Sequence, residues 1–250
     1  MNQSRFGRLC MEAAVKGRTA GADGFGTLAE KRMHAVIKKY ICPNEAFHEV
    51  VVEGTRFLAD IRVGNDVVEV QTGAFYPMKK KIDHYLQSTD CTVTVVHPIA
   101  AVRRLSWVDP DTFEIGSARR VAGERAEALL PELYCLLPHL GNPRLRFRLL
   151  MLEVHDFRLQ NGSRSRDRKK GSIRYERMPI ALIDELDFRT PEDFRRFIPA
   201  GLPSPFTVKQ FSTLSKIRGR NAYSAVRVLA ALGLFAPTDP IGRAMAFEIV

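Results

Sequence analysis

Three residues close together in the first half of the chain have the types and spacing needed for chemistry: Asp60, Glu69 and Gln71. Asp60 lies in the stretch RFLADIRV, and Glu69 and Gln71 lie in DVVEVQ, with Gly64-Asn65 between the two stretches. Both stretches read as strands, and Gly-Asn between them reads as a two-residue hairpin turn. Side chains alternate faces along a strand, so Glu69 and Gln71 share one face and Val68 and Val70 the other. The hairpin then sets Asp60 roughly across from Glu69, and cross-strand neighbours stand only ~5 Å apart. Two carboxylates that close repel unless a proton or a cation lies between them. Oxygen ligands of this kind suit a hard divalent cation such as Mg2+.

The elements around these residues follow in a definite order. GTLAEKRMHAVIKKY (26–40) predicts a helix with Thr27 as cap and Glu30 at the capping-box position. Cys42-Pro43-Asn44 ends it. FHEVVVE (47–53), RFLADIRV (56–63) and DVVEVQ (66–71) predict three strands. Pro77 opens a helix, PMKKKIDHYLQS, on which Lys81 and Tyr85 share a face. CTVTVV (91–96) predicts a buried fourth strand. Residues 1–25 read as a loose lead-in with at most one short helix, and residues 98–145 receive no role.

The order α-β-β-β-α-β over residues 26–97, with LAD at 58–60 and EVQ at 69–71, resembles the PD-(D/E)XK, or restriction-endonuclease-like, nuclease superfamily. Ala59 stands where the family name has Pro, and Gln71 where Lys is usual. Gln orients a water but brings no positive charge. Lys81 resembles a position where part of the superfamily places a polar active-site residue, and Glu30 matches an acidic residue on the preceding helix of many members. The resemblance implies a metal-dependent phosphodiesterase. Asp60, Glu69 and the Val70 carbonyl would bind Mg2+ (or Mn2+), Glu30 would help hold the metal or its waters, and Gln71 or Lys81 would steer the nucleophile.

The charge balance points to the same class of partner. The chain of 250 residues carries a net charge of +10. Residues 1–141 hold 18 Lys and Arg against 17 Asp and Glu, whereas residues 142–250 hold 20 against 11, so nearly all the excess sits in the second half. A one-sided basic surface favours nucleic acid. LRFRLLMLEVHDFRL (145–159) and IRYERMPIALI (173–183) predict two strands joined by a polar loop. Within RSRDRKKGSIRYER (164–177), Arg164, Arg166, Arg168, Lys169, Lys170 and Arg174 are candidates for phosphate contact.

From Pro191 the pattern turns helical, which sets an expected domain boundary near residue 190: a nuclease-like domain over 1–190 and a second over 191–250. FTVKQFSTLSKIRGRNAYSAVRVLAALGLF (206–235) resembles a winged helix-turn-helix. Phe206-Thr207 opens the first helix, Ser215–Gly219 is the turn, and Arg220–Leu232 is the recognition helix. Ala222, Ala225, Val226, Leu229 and Leu232 face the core, and Ala236–Val250 form the wing. Lys216, Arg218, Arg220, Asn221 and Tyr223 lie where this motif meets DNA.

Other classes recede. No apolar run reaches the ~18 residues of a membrane helix, and MNQSRFGRLCMEAAVKGR lacks a signal peptide's apolar core, which makes a cytoplasmic location the default. Cys10, Cys42, Cys91 and Cys135 are scattered, so a zinc site is not expected and reduced thiols are. No phosphate-cradling glycine loop is present. The expected fold is α/β: a restriction-endonuclease-like αβββαβ core with a C-terminal, mainly helical winged-helix-like domain. The expected function is Mg2+-dependent DNA cleavage in a basic cleft between the two domains. The alternatives are a catalytically inactive DNA-binding protein on the same fold and a non-catalytic subunit of a DNA-processing complex. The partner is nucleic acid, DNA rather than RNA, with no membrane; a homodimer or a partner protein stays open.

Overall fold

The computed structural model describes residues 2–19, 29–52, 54, 56–159 and 173–250, with the side chains of 16–19, 29–31 and 173–174 outside that description. The protein is a mixed α/β fold. One seven-stranded sheet has the order β1 (His48–Val51), β2 (Leu58–Val63), β3 (Asp66–Val70), β4 (Thr92–Val108), β6 (Leu145–Leu159), β7 (Ile173–Phe188), with β5 (Arg119–Val121) paired to β4, and a separate three-stranded sheet has the order β8 (Phe206–Thr207), β10 (Ala244–Ile249), β9 (Phe235–Ile241). No helix among the described residues is long and apolar enough to cross a membrane.

The chain forms two compact units that interleave along the sequence. The first takes in residues 1–48, 97–125 and 149–186, and the second residues 49–96, 126–148 and 187–250. The passage at residue 187 lies near the boundary expected at 190, but the second unit also contains the candidate hairpin and the stretch 126–148.

The first unit begins with α1 (Gln3–Thr19), a helix of five turns where the sequence suggested a loose lead-in. Its apolar signal is short: Phe6 and Cys10, one turn apart, are buried, with Gly7 between them. The Asn2 side chain accepts from Arg5 N at 2.9 Å, and the Phe6 ring meets Tyr40 of α2 (Ala29–Ile41) edge-on at 5.2 Å. The Thr27 cap expected for α2 lies outside the described residues. Strand β4 (Thr92–Val108) runs well past the expected end at Val96. Pro98 falls between its pairing with β3, which ends at Val96, and its pairing with β5 (Arg119–Val121), which spans Arg103–Leu105. Strands β6 (Leu145–Leu159) and β7 (Ile173–Phe188) complete the sheet, β7 five residues longer than expected.

Asp156 of β6 lies at the centre of the first unit, only 2% exposed. It accepts from Arg103 (Nε 2.9 Å, Nη2 2.5 Å) and from Arg177 (Nε 2.6 Å, Nη2 3.1 Å). Burial pushes this carboxyl up, but hydrogen bonds and charge from Arg177 and then Arg103 outweigh it and hold it below the ordinary value. Nearby, Arg32 pairs with the buried Glu176, and the Tyr40 hydroxyl donates to Glu185. Two residues of the basic run are thus interior parts: Arg177 on Asp156, and Glu176 on Arg32.

The second unit opens with β1 (His48–Val51), of which Glu49 onward belongs here, then β2 (Leu58–Val63) and β3 (Asp66–Val70). Gly64, at φ +59°, takes the first turn position, which a side chain would strain. Helix α3 (Lys79–Ser88) follows a 3-10 turn at Tyr76–Met78 containing Pro77. Arg144 clamps its C-terminal end, donating to the carbonyls of Leu86 (2.5 Å), Thr89 (2.6 Å) and Cys91 (3.3 Å). Leu86 and Thr89 supply carbonyls at the helix end that the helix cannot satisfy itself, and Cys91 one from the loop beyond it.

Residues 126–139, without a role in the sequence, form α4 (Leu129–Glu132) between 3-10 turns, and bury Leu129, Leu130, Leu133 and Leu136. They pack on α6 (Arg220–Ala231), and the Leu133–His139 turn also meets α3. His139 and Asp83 fasten the latter contact at 2.5 Å. The C-terminal part runs β8 (Phe206–Thr207), α5 (Val208–Ser215), α6, β9 (Phe235–Ile241) and β10 (Ala244–Ile249). The Thr207 side chain caps α5 reciprocally with Gln210, and Phe206, Phe211, Phe235 and Phe247 form its aromatic core. Pro191–Phe197, read as helical, is a 3-10 segment, and the stretch read as the wing contains the antiparallel β9-β10 pair.

Candidate functional site

The hairpin register pairs Ile61 with Val68, Arg62 with Val67 and Val63 with Asp66. One step further brings Asp60 opposite Glu69. Asp60 Oδ2 accepts from the Val70 backbone N–H at 2.8 Å. Beside β3, β4 runs parallel, with Glu69 opposite Val95 and Val70 opposite Val96.

Glu69 is 5% exposed. Lys81 Nζ donates to its Oε2 at 2.6 Å, and the Tyr85 hydroxyl donates to its Oε1 at 3.3 Å. Both donors sit one turn apart on α3, and the Lys81 ammonium lies 6.0 Å from the Tyr85 ring centre. Burial pushes the Glu69 carboxyl up to about 7; the Lys81 charge partly counters this, and the Asp60 charge adds to it. Burial, and then the charge of Glu69, also raise the Tyr85 hydroxyl.

A carboxyl raised from 4.5 to about 7 holds a proton in the folded state that the unfolded chain has released. Its contribution to stability is present below pH 4.5 and is lost as the pH rises through about 7. Between pH 5 and pH 8 this amounts to about 2 to 3 kcal/mol. Urea denaturation at the two pH values is expected to show that loss in the wild type and a flatter profile in Glu69→Gln; equal slopes in the two proteins would refute it.

Gln71 continues the β3–β4 pairing, its N–H donating to Val96 O at 2.9 Å, and its side-chain amide donates to Ala74 O at 2.6 Å. The site thus brings together Asp60, Glu69, Val70 and Lys81, with Gln71 one residue on. Glu30 lies on α2 in the first unit, and its side chain is outside the described residues. Arg164, Arg166, Arg168, Lys169 and Lys170 lie wholly outside the described residues, and the Arg174 side chain does too. No group of three or more His, Cys, Asp and Glu gathers as a metal cage among the described residues. Two facing carboxylates and a main-chain carbonyl nevertheless suit a cation that keeps several of its own waters, as Mg2+ does.

In the C-terminal part, Lys216, Arg218, Arg220, Asn221 and Tyr223 are all exposed, while Ala222, Ala225, Val226, Leu229 and Leu232 are buried. Lys216, at φ +62°, is the left-handed cap that turns the chain out of α5.

Residues 31–189 match a family described as a domain of unknown function, DUF8091. The chain belongs to the DUF8091 family. No curated protein and no solved structure matches it significantly. The DUF8091 match contains Asp60, Glu69, Gln71 and Lys81; Glu30 stands one residue before it, and α5, α6 and the β9-β10 hairpin lie beyond it.

Sequence reasoning placed Lys81 and Tyr85 on one helical face but assigned Tyr85 no part at the carboxylates. It also passed over Arg56, Phe57 and His84, whose only local signal is the i,i+4 spacing of Lys80 and His84.

Proposed function

We propose that this protein is a Mg2+-dependent phosphodiesterase that cleaves DNA at Asp60 and Glu69, with α5, α6 and the β9-β10 hairpin holding the duplex. The observation that carries this reading is the Asp60–Glu69–Lys81 constellation. It stands on an α2-β1-β2-β3-α3-β4 succession whose order resembles that of the PD-(D/E)XK nucleases.

Asp60, Glu69 and the Val70 carbonyl would hold the metal. When bound, Mg2+ supplies a Lewis acid for the scissile phosphate and activates water. Lys81 keeps a positive charge against Glu69 and offers the cation that Gln71 does not. Tyr85 fixes the other Glu69 oxygen, so the carboxylate cannot rotate freely. Gln71, whose amide nitrogen donates to Ala74 O, would orient the attacking water with what remains of its amide.

Two observations favour the rival reading, a catalytically inactive DNA-binding protein or non-catalytic subunit. Lys81 already answers the charge of Glu69 within the chain, and the Gln71 amide is engaged by a loop carbonyl. A cleavage assay on plasmid, linear and single-stranded DNA with Mg2+ or Mn2+ separates the two. Cutting that is metal-dependent and lost in Asp60→Ala and Glu69→Ala supports the nuclease. Salt-sensitive binding without cutting, unchanged in both variants, supports the rival.

For the helical module, Arg218→Ala/Arg220→Ala is expected to weaken duplex binding uniformly across sequences. It is also expected to reduce the slope of log K against log salt by about two, one for each phosphate contact removed. Fluorescence anisotropy from 50 to 200 mM salt reads both quantities, and an unchanged slope places the duplex elsewhere.

A further inference from the structure

Beside the carboxylates, the second unit has an open cleft of about 560 Å³ lined by Gly54, Arg56, Phe57, Lys80 and His84. Among the described residues, neither Arg56 nor Lys80 has a carboxylate partner, and both are exposed. His84 Nε2 is buried and has no hydrogen-bond partner among the described residues. Lys80 and His84 stand one turn apart on α3, on the flank next to the Lys81–Tyr85 face. The Phe57 ring joins the two faces: it meets His84 edge-on at 5.7 Å and Tyr85 edge-on at 6.2 Å, and Tyr85 donates to Glu69.

We infer that this cleft binds a backbone phosphate of the nucleic-acid strand, next to the phosphate held at Asp60 and Glu69. The inference rests on the nucleic-acid reading proposed above. A guanidinium and an ammonium without counter-charges among the described residues suit a phosphate monoanion, Arg by paired N–H donors and Lys as a point charge. The His84 imidazole lines the same wall. An aromatic ring in the wall gives an adjoining base a surface to stack on, as sites that track a strand commonly do. The volume is in the range of small-ligand sites and holds a nucleotide unit rather than a bare ion. With the guanidinium and the ammonium both engaged on phosphate oxygens, the contact adds affinity without sequence preference.

The test compares the full chain with Arg56→Ala/Lys80→Ala, two exposed positions whose loss leaves the core intact. Binding of a fluorescein-labelled single-stranded 20-mer and of its duplex is read by anisotropy in Ca2+, where cleavage does not confuse the result. The double variant is expected to bind about tenfold more weakly at low salt, with a salt slope lower by one to two. Wild-type affinity and slope in the double variant would overturn the inference, as would a wild type that binds neither oligonucleotide. Inorganic phosphate and a mononucleotide serve as competitors. If the variant loses these while oligonucleotide binding is unchanged, the cleft belongs to a small phosphate compound and the strand assignment is overturned. Weakened binding in the variant, with no Mg2+-dependent cutting by the wild type, keeps the cleft and removes the nuclease.

Discussion

Under the proposed function, Asp60→Asn is expected to slow Mg2+-dependent DNA cleavage by about 10³-fold, the scale seen when one preorganised electrostatic contact to the reacting group is removed. The substitution is nearly isosteric. An amide oxygen can still accept from the Val70 N–H, the bond that fixes this side chain at 2.8 Å, so the hairpin should keep its register. What is lost is one of two negative charges facing each other across β2 and β3. The remaining carboxylate, Glu69, is already engaged by Lys81 and Tyr85. A dication would then meet one anion and one ammonium where it had met two anions and one ammonium. Single-turnover rates with saturating enzyme isolate this step, and DNA binding measured in Ca2+ should match wild type. A variant that cuts within tenfold of wild type would place the chemistry elsewhere.

The second large effect is on folding. Asp156→Ala should cost about 3 to 5 kcal/mol, because it strands the guanidiniums of Arg103 and Arg177 beside a space that held their counter-charge. That is a large share of the 5–15 kcal/mol that holds a typical domain together. The same carboxyl is held below its ordinary value, so its contribution is present above that value and fades as the pH falls through the lower, folded-state one. Urea denaturation at pH 7 measures the loss. A cost under about 1 kcal/mol would mean that the two arginines find water or other partners as readily as Asp156.

The candidate site was legible where chemistry and local geometry coincide. Gly64-Asn65 sets a two-residue turn, the turn sets the register, and the register sets Asp60 against Glu69, so three short-range facts carry the pairing. Lys81 and Tyr85 were legible as one helical face, but their contact with Glu69 depends on α3 lying over β3, which no local pattern encodes. The C-terminal part was readable from Thr207 and Gln210 at capping-box spacing and from the small buried residues of α6. Elsewhere the signal is weak for physical reasons. Helix α1 shows two buried residues, Phe6 and Cys10, around a glycine. The continuation of β4 is masked by Pro98, which reads as a strand breaker although β4 runs from Thr92 to Val108. The pieces from Ala126 to His139 are too short and too rich in proline to show a helical period. Arg177 reads as part of a solvated basic run, since its partner, Asp156, is 21 residues away.

The leucine-rich stretch from 126 to 139 has a consequence for where this protein can be divided. The family match ends at Arg189, yet α6, beyond that limit, packs on α4, which lies inside it. A fragment ending at Arg189 would uncover the α6-facing side of a segment that buries four leucines, and Phe188 would lose Phe194 and Phe197, its ring neighbours at 4.7 and 5.3 Å. The region shared with relatives and the region that folds are therefore different lengths of chain. In any relative that lacks the C-terminal helices, something else must cover this side of α4, or its leucines must have given way to polar residues.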